Sequence, residues 1–270
     1  MRILLIYGET HEMPDCLIEE LGEDGVLRLR LNRPDKLNAL DPELLDALID
    51  AQRSVAEKDE VRVVLLSGEG RSFCAGADLH HTLSIHPDRN LLRDILSRLR
   101  DAVTGFERIN QPVIGALHGH VLAGGLELAM GCDILLAARS AQIGDQHIRR
   151  NLIPGGGNTQ RIPRHLGKAR ALDLLLTGRW LSAQEACDCG LVSRVCDDEI
   201  LEGEAEALAR ELAESSPQAL REIKRLTHLA YSTPLADGLE LEIDASVRYF
   251  TSDELTESLN EFKARSGRGS

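Results

Sequence analysis

The sequence predicts an α/β fold. Strand-like and helix-like segments alternate up to about residue 200, the remainder reads almost wholly as helix, and no linker rich in Pro, Ser or Gly separates the two parts. At 270 residues the chain is long enough to bury a core without a metal or disulfide. It is read as one unit with a helical C-terminal region.

The elements follow in order. Val26-Leu27-Arg28-Leu29-Arg30-Leu31 alternates apolar and basic residues and stops at Asn32-Arg33-Pro34, which marks a half-buried strand. Asp41-Pro42-Glu43 supplies an N-cap, a first-position proline and a first-turn acid for a helix running to about Glu57. A second strand is predicted over Val61–Leu66, ended by the loop Ser67–Ser72. Phe73–Leu79 shows no clear periodicity, and a helix is expected over Leu91–Arg108. A third strand, Val113–Leu117, runs into His118-Gly119-His120. Gly124-Gly125 then precedes the helix-like Leu126–Met130. Asp133–Ala138 reads as a strand, and Ile143–Gly157 as a loop because Pro154-Gly155-Gly156-Gly157 breaks regular structure. Helices are expected over Ala169–Leu176, from the capping box Ser182–Glu185 to Gly190, and over Ile200–Glu214, Pro217–Ala230, Leu235–Phe250 and Asp253–Ala264.

Composition narrows the function. Forty-four acidic against thirty-one basic residues give a formal charge of −13, which opposes nucleic acid and anionic membranes as partners. Three Tyr, four Phe and one Trp are few for base stacking. Six cysteines without a CxxC pair fit a reducing, cytoplasmic setting. The apolar start, Met1–Tyr7, is too short for a signal peptide, and Pro112–Met130 carries His118, His120 and Glu127, so it reads as buried core and not as a membrane span. No metal site is expected: His80-His81 and His118-Gly119-His120 match no common ligand spacing.

Gly124-Gly125 at a helix start offers unpaired backbone N–H groups to an oxygen placed there, and the small residues of Cys74-Ala75-Gly76-Ala77-Asp78 let a second loop approach the same oxygen. Two such donors polarise a carbonyl; equally, these are the residues that turns and close packing use. Glu127, amid Leu126, Leu128 and Ala129, is a carboxylate on an apolar helix, which is costly without a purpose.

Phe73–Leu79, His118–Ala129 and Pro154–Arg161 resemble, in order and spacing, the three signature stretches of the crotonase (enoyl-CoA hydratase/isomerase) family, with further matches at Leu31–Pro34, Asn38–Leu40, Ala186, Gly190–Val192, Asp253, Glu257, Phe262 and Lys263. The resemblance implies a spiral of ββα units over residues 14–199 and a helical trimerisation region over 200–270, assembled as a homotrimer or hexamer. Residues 1–13 fall outside it and read as an N-terminal extension. It implies an acyl-CoA thioester as substrate, with coenzyme A part of that substrate and no separate cofactor. By position, the amides of Ala77 and Gly124 form an oxyanion hole for a thioester enolate, Lys36, Leu37, Asp78 and Leu79 line the CoA side, and Glu127 is the first of two catalytic glutamates.

The second glutamate is absent. The resemblance sets Gly144-Asp145-Gln146-His147 in its stretch, so His147 fills the acid/base position; it either exchanges protons, oriented by Asp145 only where the local strand places both on one face, or merely lines the pocket while Glu127 works alone. Enoyl-CoA hydration is the reaction expected first. Double-bond isomerisation or C–C hydrolysis with His147 as base stays open, and so does an RNA-binding relative, which the charge opposes. The acid-free run Arg149, Arg150, Arg161, Arg164, Lys168 and Arg170 reads as a solvated face, with CoA phosphates or a neighbouring subunit as alternatives.

Overall fold

The computed structural model describes residues 3–6, 9–12, 15–253 and 255–256. In chain order the elements are β1 (Ile3–Ile6), β2 (Glu9–Glu12), β3 (Leu17–Leu21), β4 (Val26–Leu31), α1 (Pro42–Glu57), β5 (Val63–Gly68), α2 (Leu79–Ile85), α3 (Arg89–Arg108), β6 (Val113–Leu117), β7 (His120–Leu122) and α4 (Gly124–Ala129). They continue with β8 (Ile134–Ala138), β9 (Gln142–Gly144), α5 (Asn158–Leu166), α6 (Lys168–Thr177), β10 (Leu181–Ser182), α7 (Ala183–Asp188), β11 (Arg194–Cys196), α8 (Leu201–Ala213), α9 (Pro217–Leu229) and α10 (Leu235–Phe250).

A six-stranded sheet in the order β11-β8-β6-β5-β4-β3 is parallel except for β3, and a three-stranded sheet, β10-β9-β7, lies apart from it. Leu27, Leu29 and Leu31 of β4 join Val64, Leu66 and Leu117 in the core, with Leu44, Leu45 and Leu48 of α1 and Phe106 of α3. Each such side chain contributes roughly 1.5–3 kcal/mol on burial. The arginine face of β4 is not bare: α8 packs across β4, β5, β6 and β8, and Glu206 receives Nε and Nη2 of Arg28 at 2.7 and 2.6 Å.

The caps follow the sequence. Asp41 accepts the N–H of Leu44 at 3.0 Å, and Ser182 and Glu185 make both bonds of the capping box. The second strand begins at Val63 and not at Val61, because the N–H of Val61 turns back to Lys58 while the ladder with β4 opens at Val26. β3, whose Leu-Ile-Glu-Glu-Leu does not alternate, was not expected, and neither were α2 and α5. The expected loop Ile143–Gly157 is corrected in part: Ile143 and Gly144 lie in β9, which pairs with β7 and β10, and His147–Arg150 form a 3-10 turn. The helix expected over Asp253–Ala264 falls almost wholly outside the described residues. Among the described residues no helix is long and apolar enough to cross a membrane.

What positions the site is the change of sheet after β6. The chain leaves the large sheet through His118-Gly119, adds β7 to the small one and starts α4 two residues later.

Candidate active site

Residues 74–78 are clamped between two neighbours. Cys74 donates to the carbonyl of His120 and accepts from Leu122, both at 3.0 Å; on the other side Leu40 donates to Gly76 and accepts from Asp78, both at 2.8 Å. In such a bridge the residue between Gly76 and Asp78 turns its own N–H away from Leu40. That residue is Ala77, and its nitrogen lies beside Gly124: a β-carbon placed on Gly124 would sit 3.2 Å from it. Gly124 opens α4, where the first N–H groups have no intrahelical partner. Among the described residues neither amide has a hydrogen-bond partner.

Close approach makes this possible. A β-carbon on Gly125 would lie 2.1 Å from the Cys74 carbonyl oxygen, so only glycine lets α4 reach the loop. Ala123, just before α4, has φ 50° and ψ −116°, a conformation an L-residue holds at about 1–3 kcal/mol. Its N–H donates to Gly144 at 2.9 Å, which holds that strained residue in place. Cys74 is fully buried and burial pushes its thiol up to about 12, so it is a neutral packing group at pH 7.

Glu127 lies on the first turn of α4 and is fully buried. Its Oε1 accepts the N–H groups of Gly156 and Gly157, both at 2.8 Å, and of Asn158 at 3.2 Å, at the start of α5. Oε2 is buried with no partner among the described residues. Burial raises the carboxyl above the usual glutamate range, against the pull of His147 and of the backbone donors. Gly156 must be glycine, since a β-carbon there would stand 2.7 Å from Oε2.

His147 reaches the same place. Gln146 takes the left-handed conformation at φ 57°, and this turn, not a strand, brings Asp145 and His147 to one side. His147 Nδ1 bonds Asp145 Oδ1 at 3.0 Å. Burial works against the imidazolium, yet the hydrogen bond and charge of Asp145, with Glu127 nearby, hold His147 above the usual histidine value. Asp145 is fully buried and also receives Nδ2 of Asn158 at 2.7 Å.

The residues expected on the CoA side lie at the neighbouring edge. Lys36 ends an exposed 3-10 turn and its ammonium has no partner among the described residues, while the Leu37 carbonyl accepts the N–H of Ala75 at 3.0 Å. Asp78 is less free than expected: it caps α2 through His80 and His81 and lies 3.3 Å from Nη2 of Arg33, which also pairs with Asp41 at 2.8 Å. Burial works against the charge of Asp78, but the N–H groups of His81 and His80 and the Arg33 guanidinium outweigh it and hold the carboxyl below the usual range. Leu79 opens α2 and is exposed. Sequence reasoning missed Asn158 and the amides of Gly156 and Gly157; the available signal was a short polar residue directly after three glycines.

Residues 22–267 match the Enoyl-CoA hydratase/isomerase family. The chain belongs to that family. This is the family that the three signature stretches indicated. The chain is 36% identical over 245 residues to the 1,2-epoxyphenylacetyl-CoA isomerase of Escherichia coli, covering 90% of this chain and 94% of that one. Against the mitochondrial enoyl-CoA hydratase of Pongo abelii it is 35% identical over 247 residues, with 91% and 84% covered. Its fold superposes on the crystal structure of enoyl-CoA hydratase from Bacillus anthracis with a TM-score of 0.88 at 35% identity, covering 93% and 96% of the two chains. The mixed α/β architecture is that of the crotonase fold.

Proposed function

We propose that this hydratase/isomerase-family enzyme binds an acyl-CoA thioester with its carbonyl oxygen between the amides of Ala77 and Gly124, and that Glu127 and His147 move protons at the acyl chain. The observation that carries the reading is the pair of unpartnered amides beside a buried carboxylate. Charge that develops on the thioester oxygen as an enolate forms meets two fixed dipoles, and one such donor is worth about 10²–10³ in turnover. Lys36, Leu37, Asp78 and Leu79 face the CoA portion, with Lys36 as the free cation for a phosphate.

Hydration of a 2,3-enoyl ester is the reaction favoured first. One protonated group delivers the α-proton while the other, unprotonated, takes a proton from the water whose oxygen bonds the β-carbon, and Glu127, raised by burial, and His147, raised by Asp145 against its burial, suit those tasks. A second reading, isomerisation or C–C hydrolysis, is favoured by the Asp145–His147 pair, which makes one single-nitrogen base where hydratases of this family carry a second carboxylate. Purified protein offered short, long, branched and ring-containing enoyl-CoA esters, with products identified by mass, separates these readings. Gly124→Ala puts a methyl group beside the Ala77 nitrogen, so turnover is expected to fall about 10²–10³-fold; an unchanged rate removes the oxyanion hole from the mechanism.

The assembly belongs to the same proposal. Ile223, Leu235, Leu239, Ile243, Val247 and Phe250 of α9 and α10 are exposed, an apolar face that a second copy of this chain would cover in a trimer. Light scattering is expected to give a trimer or a multiple of it, and Leu239→Asp with Val247→Asp to give monomer.

A further inference from the structure

Asn158 ties together three segments of the site. Its backbone N–H donates to Glu127 Oε1 at 3.2 Å, and its side-chain Nδ2 donates to Asp145 Oδ1 at 2.7 Å and to the carbonyl of Ala123 at 3.3 Å. Ala123 is the strained residue that sets the Gly124 amide. Two acceptors in front of Nδ2 fix which end of the amide is nitrogen. The side chain is fully buried, so these bonds are not exchanged with solvent.

The same Asp145 oxygen that takes Asn158 Nδ2 also faces His147 Nδ1 at 3.0 Å, and the His147 backbone N–H lies 3.4 Å from Asp145 Oδ2. An oxygen already receiving one N–H acts as an acceptor, so Nδ1 carries the hydrogen and Nε2 is left as the nitrogen that exchanges protons. The charged groups facing His147 are Asp145 on its own loop and Glu127 from α4; α5 presents the neutral Asn158.

We infer that Asp145 and Asn158 are positioning residues: Asp145 selects the His147 tautomer with a free Nε2, and Asn158 locks Asp145 in register with Glu127 and the Gly124 amide. This rests on the reading of His147 as a proton carrier, and it makes the pair of proton carriers one crosslinked unit. Neither residue needs to touch substrate.

The test reads the tautomer directly and needs no substrate. In ¹⁵N-labelled protein, two-bond ¹H–¹⁵N correlations of the His147 ring report which nitrogen carries the hydrogen. Wild type is expected to show Nδ1–H with unprotonated Nε2 above the histidine pKa. Asp145→Asn can turn an amide N–H toward Nδ1, which moves the hydrogen to Nε2; Asn158→Ala frees Asp145 and is expected to give a mixture. In steady state on whichever ester is turned over, both variants are expected to lower kcat with KM little changed. The loss for Asp145→Asn falls in the 10²–10⁴ range of a disabled acid/base group. A His147 ring that keeps the same tautomer in all three proteins, each shown folded by circular dichroism, overturns the inference. If the tautomer shifts as expected but no CoA ester is ever turned over, the positioning stands and the proposed function falls.

Discussion

Replacing Glu127 by Gln separates chemistry from stability in one residue. The two side chains have nearly the same shape, and the Gln carbonyl can keep the three backbone donors that now meet Oε1 at 2.8, 2.8 and 3.2 Å. Proton exchange is lost, so kcat is expected to fall by about 10²–10⁴, equivalent to roughly 3–5 kcal/mol of barrier. Stability moves the other way. Burial lifts the native Glu127 carboxyl above its unfolded value of 4.5, the backbone donors and His147 notwithstanding. A raised native pKa means that this residue's contribution is intact below pH 4.5 and declines as pH rises through the native value, beyond which a constant penalty remains. Gln carries no such penalty. The variant is therefore expected to match wild type near pH 4 and to exceed it at pH 8, by an amount in the ~0.5–2 kcal/mol range of relieved active-site strain, a rise of a few degrees in Tm. Unfolding followed at both pH values, beside product formation from a competent enoyl-CoA ester, provides the measurement. A variant that keeps its activity, or one less stable than wild type at pH 8, refutes the reasoning.

The remaining predictions probe neighbouring features. His147→Ala is expected to lower turnover by about 10²–10⁴, and His147→Glu to hydrate enoyl esters no faster than wild type; a Glu variant that hydrates faster assigns the native site to isomerisation or C–C cleavage. Gly125→Ala pushes a methyl group against the Cys74 carbonyl and is expected to cost about 1–3 kcal/mol in denaturant unfolding. The exposed Gly203 in α8 has open space around it, so Gly203→Ala is expected to gain roughly 0.5–1 kcal/mol in the same experiment.

Legibility tracked the range of the interactions involved. α1 was readable to its ends because Asp41, Pro42 and an apolar stripe are local signals. The strand Val113–Leu117 was readable because five successive apolar residues end at a glycine turn. β3 was not, since an edge strand of Leu-Ile-Glu-Glu-Leu owes its state to pairing with β4 and not to its own period. α5 was hidden by Pro163 within it and by three glycines before it. At the site, Glu127 and the glycines were visible as residues out of place in an apolar run. Asp145 was visible as a neighbour of His147, though a strand face was the condition set for it; the left-handed Gln146 supplies the turn instead. Asn158 gave no sign of its partners, which lie 13, 31 and 35 residues away.

The sequence by itself determined the α/β class, the family and the kinds of group available, because periodicity, caps and motif spacing are written along the chain. Tertiary structure alone decided which of those groups meet. The approach of the Ala77 nitrogen to Gly124, the carboxylate oxygen left without a partner and the orientation of the imidazole depend on loops from β5, β7 and β9 being brought together by sheet pairing, and contacts between distant segments leave no period in the sequence.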